Sequence, residues 1–210
     1  MLETAKPVRS PQDLDNLRRK ITARKKSEKP TISICVSTGC VALGALGVLE
    51  AFKSDLQKQG MADAVEIKET GCLGFCEQGP RVTVYPEEIC YFKVKPEDAQ
   101  EIISKGITKK QVVERLLFKE HATGKKERSL EKISFYKYQV RLLLENNAKI
   151  DPKNIEDYIA LGGYSALAKV LFKMKPQEVI DQVKKANLRG RGGGGFPTAT
   201  KWETTKNSPE

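Results

Sequence analysis

Four of the five cysteines fall into two short pairs, Cys35 with Cys40 in CVSTGC and Cys72 with Cys76 in TGCLGFC. The bites are C-x4-C and C-x3-C, each beside glycine. Zinc ribbons and knuckles repeat a C-x2-C bite, because a short turn best sets two sulfurs on one tetrahedral ion. A wider first bite suits a cluster of two metal atoms, in which each cysteine pair serves its own iron. Gly39, Gly71 and Gly74 fit that reading, since a residue without a side chain lets backbone N–H groups approach thiolate and sulfide sulfurs. The spacing therefore points to a [2Fe–2S] centre on Cys35, Cys40, Cys72 and Cys76. A zinc site and two metal-free thiol pairs are the alternatives on spacing alone.

The rest of the composition narrows the setting. The longest apolar run, Val41 to Leu49, is half of a membrane span, so no direct membrane insertion is expected. The N-terminus lacks the apolar stretch of a secretory signal, and Asp13 and Asp15 argue against an acid-poor transit peptide. A cytoplasmic setting, or a peripheral place on a membrane complex, follows, where thiols serve metals and redox chemistry more than bridges. The single histidine, His121, lies in the polar run KEHATGKK and reads as a solvated linker residue; a Rieske centre would need two. Net charge is +5 over residues 1–30, −4 over 31–100 and +9 beyond. An acidic cysteine segment suits docking on basic partner surfaces, although charge also drifts between modules without consequence. The basic stretch RRKITARKK reads as a solvated helix face or tail. Without aromatic or motif support it gives no ground for nucleic-acid binding.

Thr31 to Val36 is a β-branched run ending at the first cysteine. Leu46, Leu49, Phe52 and Leu56 recur at helical spacing in a segment closed by Gly60. Val65 and Ile67 alternate, as do Val82 with Val84 and Cys90 with Phe92 and Val94, the last two runs forming a hairpin across Glu87–Glu88. Pro96 opens a helix through Ile102 and Ile103 that Gly106 stops. The order β-α-β-loop-β-β-α is that of a thioredoxin-like α/β domain with both cysteine pairs on loops at strand ends. Beyond it, Thr108 to Phe118 reads as a helix, HATGKKERSLEK as a linker, and Tyr138, Val140, Leu142 and Leu144 as a strand. Helices follow over 154–160, 165–174 and from Pro176 to Asn187. The expected divisions are a basic arm at 1–30, the cluster domain at 31–106, helix and linker at 107–132, and a second domain at 133–210.

The second informative motif is LRGRGGGGFPTATKW, residues 188–202. Consecutive glycines let backbone N–H groups converge on an anion, and Lys201 and the arginines add positive charge, which suits a phosphate-bearing cofactor. Neither a P-loop nor a Rossmann fingerprint is met. A flexible linker and an RGG-type RNA segment are the other readings of the loop.

The tract IDPKNIEDYIALGGYSALAKVL followed by LRGRGGGGFPTATKW resembles the start of the flavin- and NADH-binding subunit of respiratory complex I and of the diaphorase subunits of NAD-linked hydrogenases and formate dehydrogenases. TGCLGFCEQGPRVTVYPEEICYFKV resembles the thioredoxin-like [2Fe–2S] ferredoxin domain fused ahead of that flavoprotein. The resemblance implies cluster ligation by the four paired cysteines. It places Gly190, Arg191, Gly192, Gly193, Gly194, Gly195 and Lys201 at FMN, with Phe196, Pro197 and Thr198 in the same signature and NAD(H) over the flavin. It implies as partners the other subunits of an NADH-linked dehydrogenase or hydrogenase complex.

The family carries Ala where Gly194 stands and Gly-Leu where Ala199–Thr200 stand. It also continues with further nucleotide contacts and a later [4Fe–4S] cysteine cluster, none of which occurs before Glu210. The expectation is an α/β chain holding the cluster domain and the start of an FMN/NADH-binding domain, incomplete as given, with a C-terminal half encoded separately as one explanation. Most of the flavin and NADH site is then missing, and Cys90 serves in packing. Two functions fit: the electron-transfer portion of an NADH:acceptor oxidoreductase, or a standalone ferredoxin-like carrier with a vestigial flavin half.

Overall fold

A computed structural model describes residues 7–25 and 29–209. The chain divides into two compact units, residues 23–158 and residues 1–22 with 159–210. These units do not coincide with the divisions expected at 30, 106 and 132. Lys26 of the basic stretch and the first six residues of the arm lie outside the described residues. No described helix is long and apolar enough to cross a membrane.

After a first helix, α1 (Pro11–Lys25), the larger unit opens on β1 (Thr31–Cys35), α2 (Thr38–Ala42) and α3 (Ala45–Lys58). Then come β2 (Glu66–Thr70), β3 (Val82–Tyr85), β4 (Ile89–Tyr91) and α4 (Ala99–Glu101), the last drawn out by a π-helical segment to Thr108. The sheet order is β2-β1-β3-β4, with β1 parallel to β2 and antiparallel to β3, and with β3 and β4 forming the expected hairpin. β1 is central, which explains why TISIC is buried almost throughout: a strand covered on both faces shows no polar alternation.

The two faces carry different chemistry. Ile32, Ile34, Val82, Val84, Ile89 and Tyr91 face the main core, where Val48, Phe52 and Leu56 of α3 and Ile102 and Ile103 pack. Each such side chain contributes about 1.5–3 kcal/mol when fully buried. The alternate positions, Cys90 and Phe92 among them, meet Leu73, Phe118, Ile133 and Tyr136 in a second, aromatic-rich cluster.

The structure differs from four expectations. Thr108 to Phe118 is not a helix: beyond Thr108 the chain extends, makes one 3-10 turn at Glu114–Leu116 and enters β5 (Phe118–Lys119). Leu116, Leu117 and Phe118 are buried in succession, which one helix face cannot achieve, and the edge of β4 holds them through Phe92 N–H to Leu116 O at 2.9 Å. The supposed linker contains β6 (Lys126–Glu127), paired with β5, and leads to α5 (Ser134–Lys137). His121 is exposed, as expected, with its ring edge-on to Phe118. Tyr138 to Leu144 forms turns rather than a strand, with Val140 87 % exposed, because no sheet edge receives it. The helix from Pro96 also runs past Gly106 instead of stopping there.

In the smaller unit, the described part of α1 is more than a solvated arm. Leu14 and Ile21, two turns apart on one face, are buried with Ile159, and Arg18 donates to Ile159 O at 3.0 Å and Ser165 Oγ at 2.7 Å. α6 (Ile155–Ala160) and α7 (Ser165–Lys173) fall within a residue of their expected bounds. α8 (Pro176–Lys185) starts with proline at its first turn, and Glu178 accepts the Lys175 N–H at 2.7 Å to close its open end. It stops two residues short of Asn187, whose φ of 50° is incompatible with continuing. α9 (Thr198–Asn207) packs on α8.

Candidate iron–sulfur centre

Cys35 ends β1 and Cys40 sits on α2, both buried, with the Cys35 sulfur 3.7 Å from Ser37 Oγ. Cys72 and Cys76 lie on the loop after β2, half-buried and exposed, their sulfurs 4.0 Å apart. None of the five cysteines is bridged. The two pairs face each other across glycine. A Cβ on Gly39, next to Cys40, would stand 2.9 Å from the Cys76 sulfur, and one on Gly79 would stand 2.9 Å from the Cys40 sulfur.

Among the described residues no three His, Cys, Asp or Glu side chains converge as around one ion. The thiols stand as two facing pairs, the arrangement that a binuclear iron centre requires.

Thiolate character is already built into the buried pair. The hydrogen bond with Cys40, helped by Ser37, lowers the Cys35 pKa to about 5, while the same contact and burial push Cys40 up. In the outer pair the contact with Cys72 raises Cys76. In the buried pair one proton is shared between two adjacent thiols, and a bound metal would displace it.

The outer loop is held from beneath. Leu73 and Phe75, the apolar residues between the cysteines of CLGFC, enter the aromatic cluster; Phe75 stacks on Phe135 at 4.2 Å and meets Phe118 and Tyr136. Asn147 Nδ2 donates to Cys72 O at 2.9 Å, and Gly71 N–H donates to Asn147 O at 3.2 Å. Of the three glycines expected to approach sulfur, Gly74 does so through N–H to the Cys72 sulfur at 3.2 Å, and Gly39 abuts Cys76. Gly71 instead makes room for Asn147. Sequence reading missed Gly79, Asn147 and the anchoring role of Leu73 and Phe75. Only the last left a signal, two buried-type residues inside a polar loop. Cys90 lies away from the thiol pairs, wholly buried, with Thr83 Oγ1 donating to it at 3.6 Å.

The glycine motif belongs to the smaller unit. Leu188 to Thr198 folds into a closed loop through Gly190 N–H to Phe196 O at 2.9 Å and Thr198 N–H to Leu188 O at 3.0 Å. Gly190, Arg191, Gly192, Gly193 and Gly194 are exposed at its rim, Gly195 partly so, and nothing lies within 4 Å of a Cβ built on Gly192, Gly193, Gly194 or Gly195. Phe196, Pro197 and Thr198 lead into α9, which carries Lys201. Lys201 and Trp202 line a groove of about 830 Å³ with Val170, Leu171, Met174 and Ile180. Backbone open to solvent, a helix N-terminus behind it and a lysine one turn on are the chemical ingredients of an anion cradle.

Sheet order and paired thiols define an iron–sulfur protein of thioredoxin-like fold. Residues 20–106 match the thioredoxin-like [2Fe-2S] ferredoxin family. The chain is 36 % identical over 77 residues to the 2Fe-2S ferredoxin of Clostridium pasteurianum, covering 37 % of this chain and 76 % of that one. It therefore belongs to the thioredoxin-like [2Fe–2S] ferredoxin family. It is also 59 % identical over 66 residues to a subunit of the NADP-reducing hydrogenase of Solidesulfovibrio fructosivorans, covering 31 % of this chain. Over 70 residues it is 46 % identical to a subunit of the NADH-quinone oxidoreductase of Aquifex aeolicus, covering 33 % of this chain. The chain spans 13 % and 16 % of the length of those two relatives.

Proposed function

We propose that this chain is an electron-transfer component of an NAD(P)H-linked oxidoreductase, with a [2Fe–2S] cluster on Cys35, Cys40, Cys72 and Cys76. The observation that carries the reading is the pair-on-pair arrangement of thiols, one pair buried at a strand end and the other open to solvent. A centre with one solvent-facing side can exchange an electron with a docked partner while its inner side stays fixed and dry. Leu73 and Phe75 hold the outer thiols in register, and Gly39 and Gly79 let the two pairs approach.

The glycine loop extends the proposal to FMN. Gly190, Arg191, Gly192, Gly193, Gly194, Gly195 and Lys201 would take its phosphate, with Phe196, Pro197 and Thr198 shaping the turn into α9. A bound flavin supplies conversion of a two-electron hydride donor into one-electron steps. The partners proposed are the other subunits of an NADH-linked dehydrogenase or hydrogenase complex. Coverage of 76 % of a ferredoxin also supports a second reading, a carrier acting alone.

Anaerobically prepared protein should hold about two irons and two sulfides. Cys72→Ser should abolish the visible spectrum and Cys90→Ser should leave it intact. Zinc in place of iron, or loss of the spectrum in Cys90→Ser, would refute the ligand set. FMN and riboflavin titrations separate the two readings: FMN binding that Lys201→Ala weakens, with riboflavin unaffected, supports the flavin role, and no FMN binding leaves the lone carrier.

A further inference from the structure

Arg81 is the one buried lysine or arginine among the described residues, 7 % exposed. Its place follows from strand register. Ile34 pairs with Val82 in the antiparallel β1–β3 ladder, and the Cys35 N–H donates to Arg81 O at 3.1 Å, so residue 81 stands opposite Cys35. Directly opposite residues in an antiparallel pair project from the same face. Arg81 therefore rises beside a proposed cluster ligand, on the face that also bears Thr83 and Cys90. Gly79, two residues earlier, is the glycine that touches the Cys40 sulfur.

A buried guanidinium needs a counter-charge, because desolvation penalises it heavily when unpaired. None of the carboxylates among the described residues forms an ion pair with Arg81. Its Nε is buried without a hydrogen-bond partner, as is the Tyr136 hydroxyl. Burial pushes the Cys90 thiol up to about 11 and Tyr136 up to about 12, so neither is an anion at neutral pH. The charge is nonetheless kept. A guanidinium holds its proton at any pH the fold meets, so it cannot escape burial by neutralising. What remains to balance Arg81 is the sulfur set: four thiolates and two sulfides around two ferric ions are a net anion, and reduction adds one more negative charge.

We propose that Arg81 is the built-in counter-cation of the [2Fe–2S] centre and raises its reduction potential by favouring the more negative, reduced state. The inference rests on the cluster reading above. Through-space attraction in a dry site is strong and little screened by salt, so one positive charge at this position acts on the one-electron couple directly.

The test is a spectroscopic redox titration of the reconstituted full chain as wild type, Arg81→Gln and Arg81→Lys, at low and high salt. In Arg81→Gln the ratio of reduced to oxidised cluster at a fixed potential should fall at least tenfold, ~59 mV for a one-electron couple. Arg81→Lys, which keeps the charge, should stay within roughly threefold of wild type by the same measure, and the gap should persist at high salt. Failure of Arg81→Gln to load iron while Arg81→Lys loads would also support the charge role. An unchanged or higher midpoint in loaded Arg81→Gln would overturn it. So would an equal fall in both variants, or failure of both to load, since either result makes guanidinium shape the requirement. Iron and sulfide content of the wild type tests the cluster reading separately.

Discussion

Gly79→Ala offers a sharp test of the thiol geometry, because the nearest atom its new methyl would meet is the Cys40 sulfur. Gly79 has φ −75° and ψ 166°, a conformation open to any residue. Replacing such a glycine by alanine stabilises a fold by about 0.4–1 kcal/mol through the unfolded chain. The new Cβ, however, would lie 2.9 Å from the Cys40 sulfur, 3.1 Å from Cys76 O and 3.3 Å from Leu43 Cδ1. Even carbon–carbon contacts are optimal only at about 3.5–4.0 Å, so sulfur and carbonyl must retreat by several tenths of an ångström. Overpacking of this kind costs about 1–3 kcal/mol. In the metal-free protein the Cys40 side chain can turn aside, and the two effects nearly cancel, leaving stability within about 1 kcal/mol of wild type. With the cluster bound the sulfur is pinned, and the whole cost falls on ligation. At about 1.4 kcal/mol per tenfold, cluster retention against a chelator should weaken roughly five- to hundredfold. Gly74→Ala is the counterpart: φ is +93° with open space around it, so alanine there strains the backbone by about 1–2 kcal/mol, cluster or no cluster. Bleaching of the visible spectrum under chelator measures the first quantity, and denaturant unfolding of metal-free protein the second. Wild-type cluster lifetime in Gly79→Ala, or an apo destabilisation equal to that of Gly74→Ala, would refute the reasoning.

Two further outcomes follow from the second face of the sheet. Phe118→Ala should cost about 3–5 kcal/mol in denaturant unfolding and open Cys90 to alkylation, since Phe118 joins Phe75 and Phe92 above it; a loss under 1 kcal/mol would mean the segment is not a structural roof. Cys90, with an ordinary value of 9.0 pushed up to about 11 by burial, is a neutral thiol that the fold prefers, so the stability it confers is complete below pH 9 and is lost as pH rises towards 11. That loss is about 2–3 kcal/mol at 1.36 kcal/mol per unit, and urea midpoints between pH 8 and 11 should show it in wild type and far less of it in Cys90→Ala.

How much was legible depended on whether a residue's partners were near in sequence or carried a periodic signature. The thioredoxin-like order could be read because β1 carries β-branched Thr31, Ile32 and Ile34 and α3 places Leu49, Phe52 and Leu56 at helical spacing. The cysteine pairs could be read because their bites are local. Leu116 to Phe118 misled because an apolar run without period fits a helix or an edge contact equally well, and only the vacant side of β4 decides between them. Tyr138 to Leu144 misled in the opposite sense: alternation without an edge to join makes no strand. Asn147 and Gly79 were out of reach, since each is defined by a contact with a cysteine far off in the chain or across a turn.

The roof that was hardest to read is also what gives the centre its environment. A four-stranded sheet covered only by α3 and α4 would leave Cys90, Thr83 and Arg81 in water, where a guanidinium is screened and inert. Residues 116–136 close that face with Phe118, Ile133 and Tyr136, and Phe75 reaches into the same cluster from between the outer cysteines. One set of apolar contacts thus fixes the outer thiols, buries Cys90 and dries the surroundings of Arg81. Loosening it by Phe118→Ala should therefore lower the cluster's midpoint as well as the fold's stability, because water admitted to Arg81 weakens its hold on the reduced state. In the background of Arg81→Gln the same substitution should leave the midpoint where Arg81→Gln alone puts it. An additive fall in the double variant would place the roof's influence on the thiols themselves rather than on the buried charge.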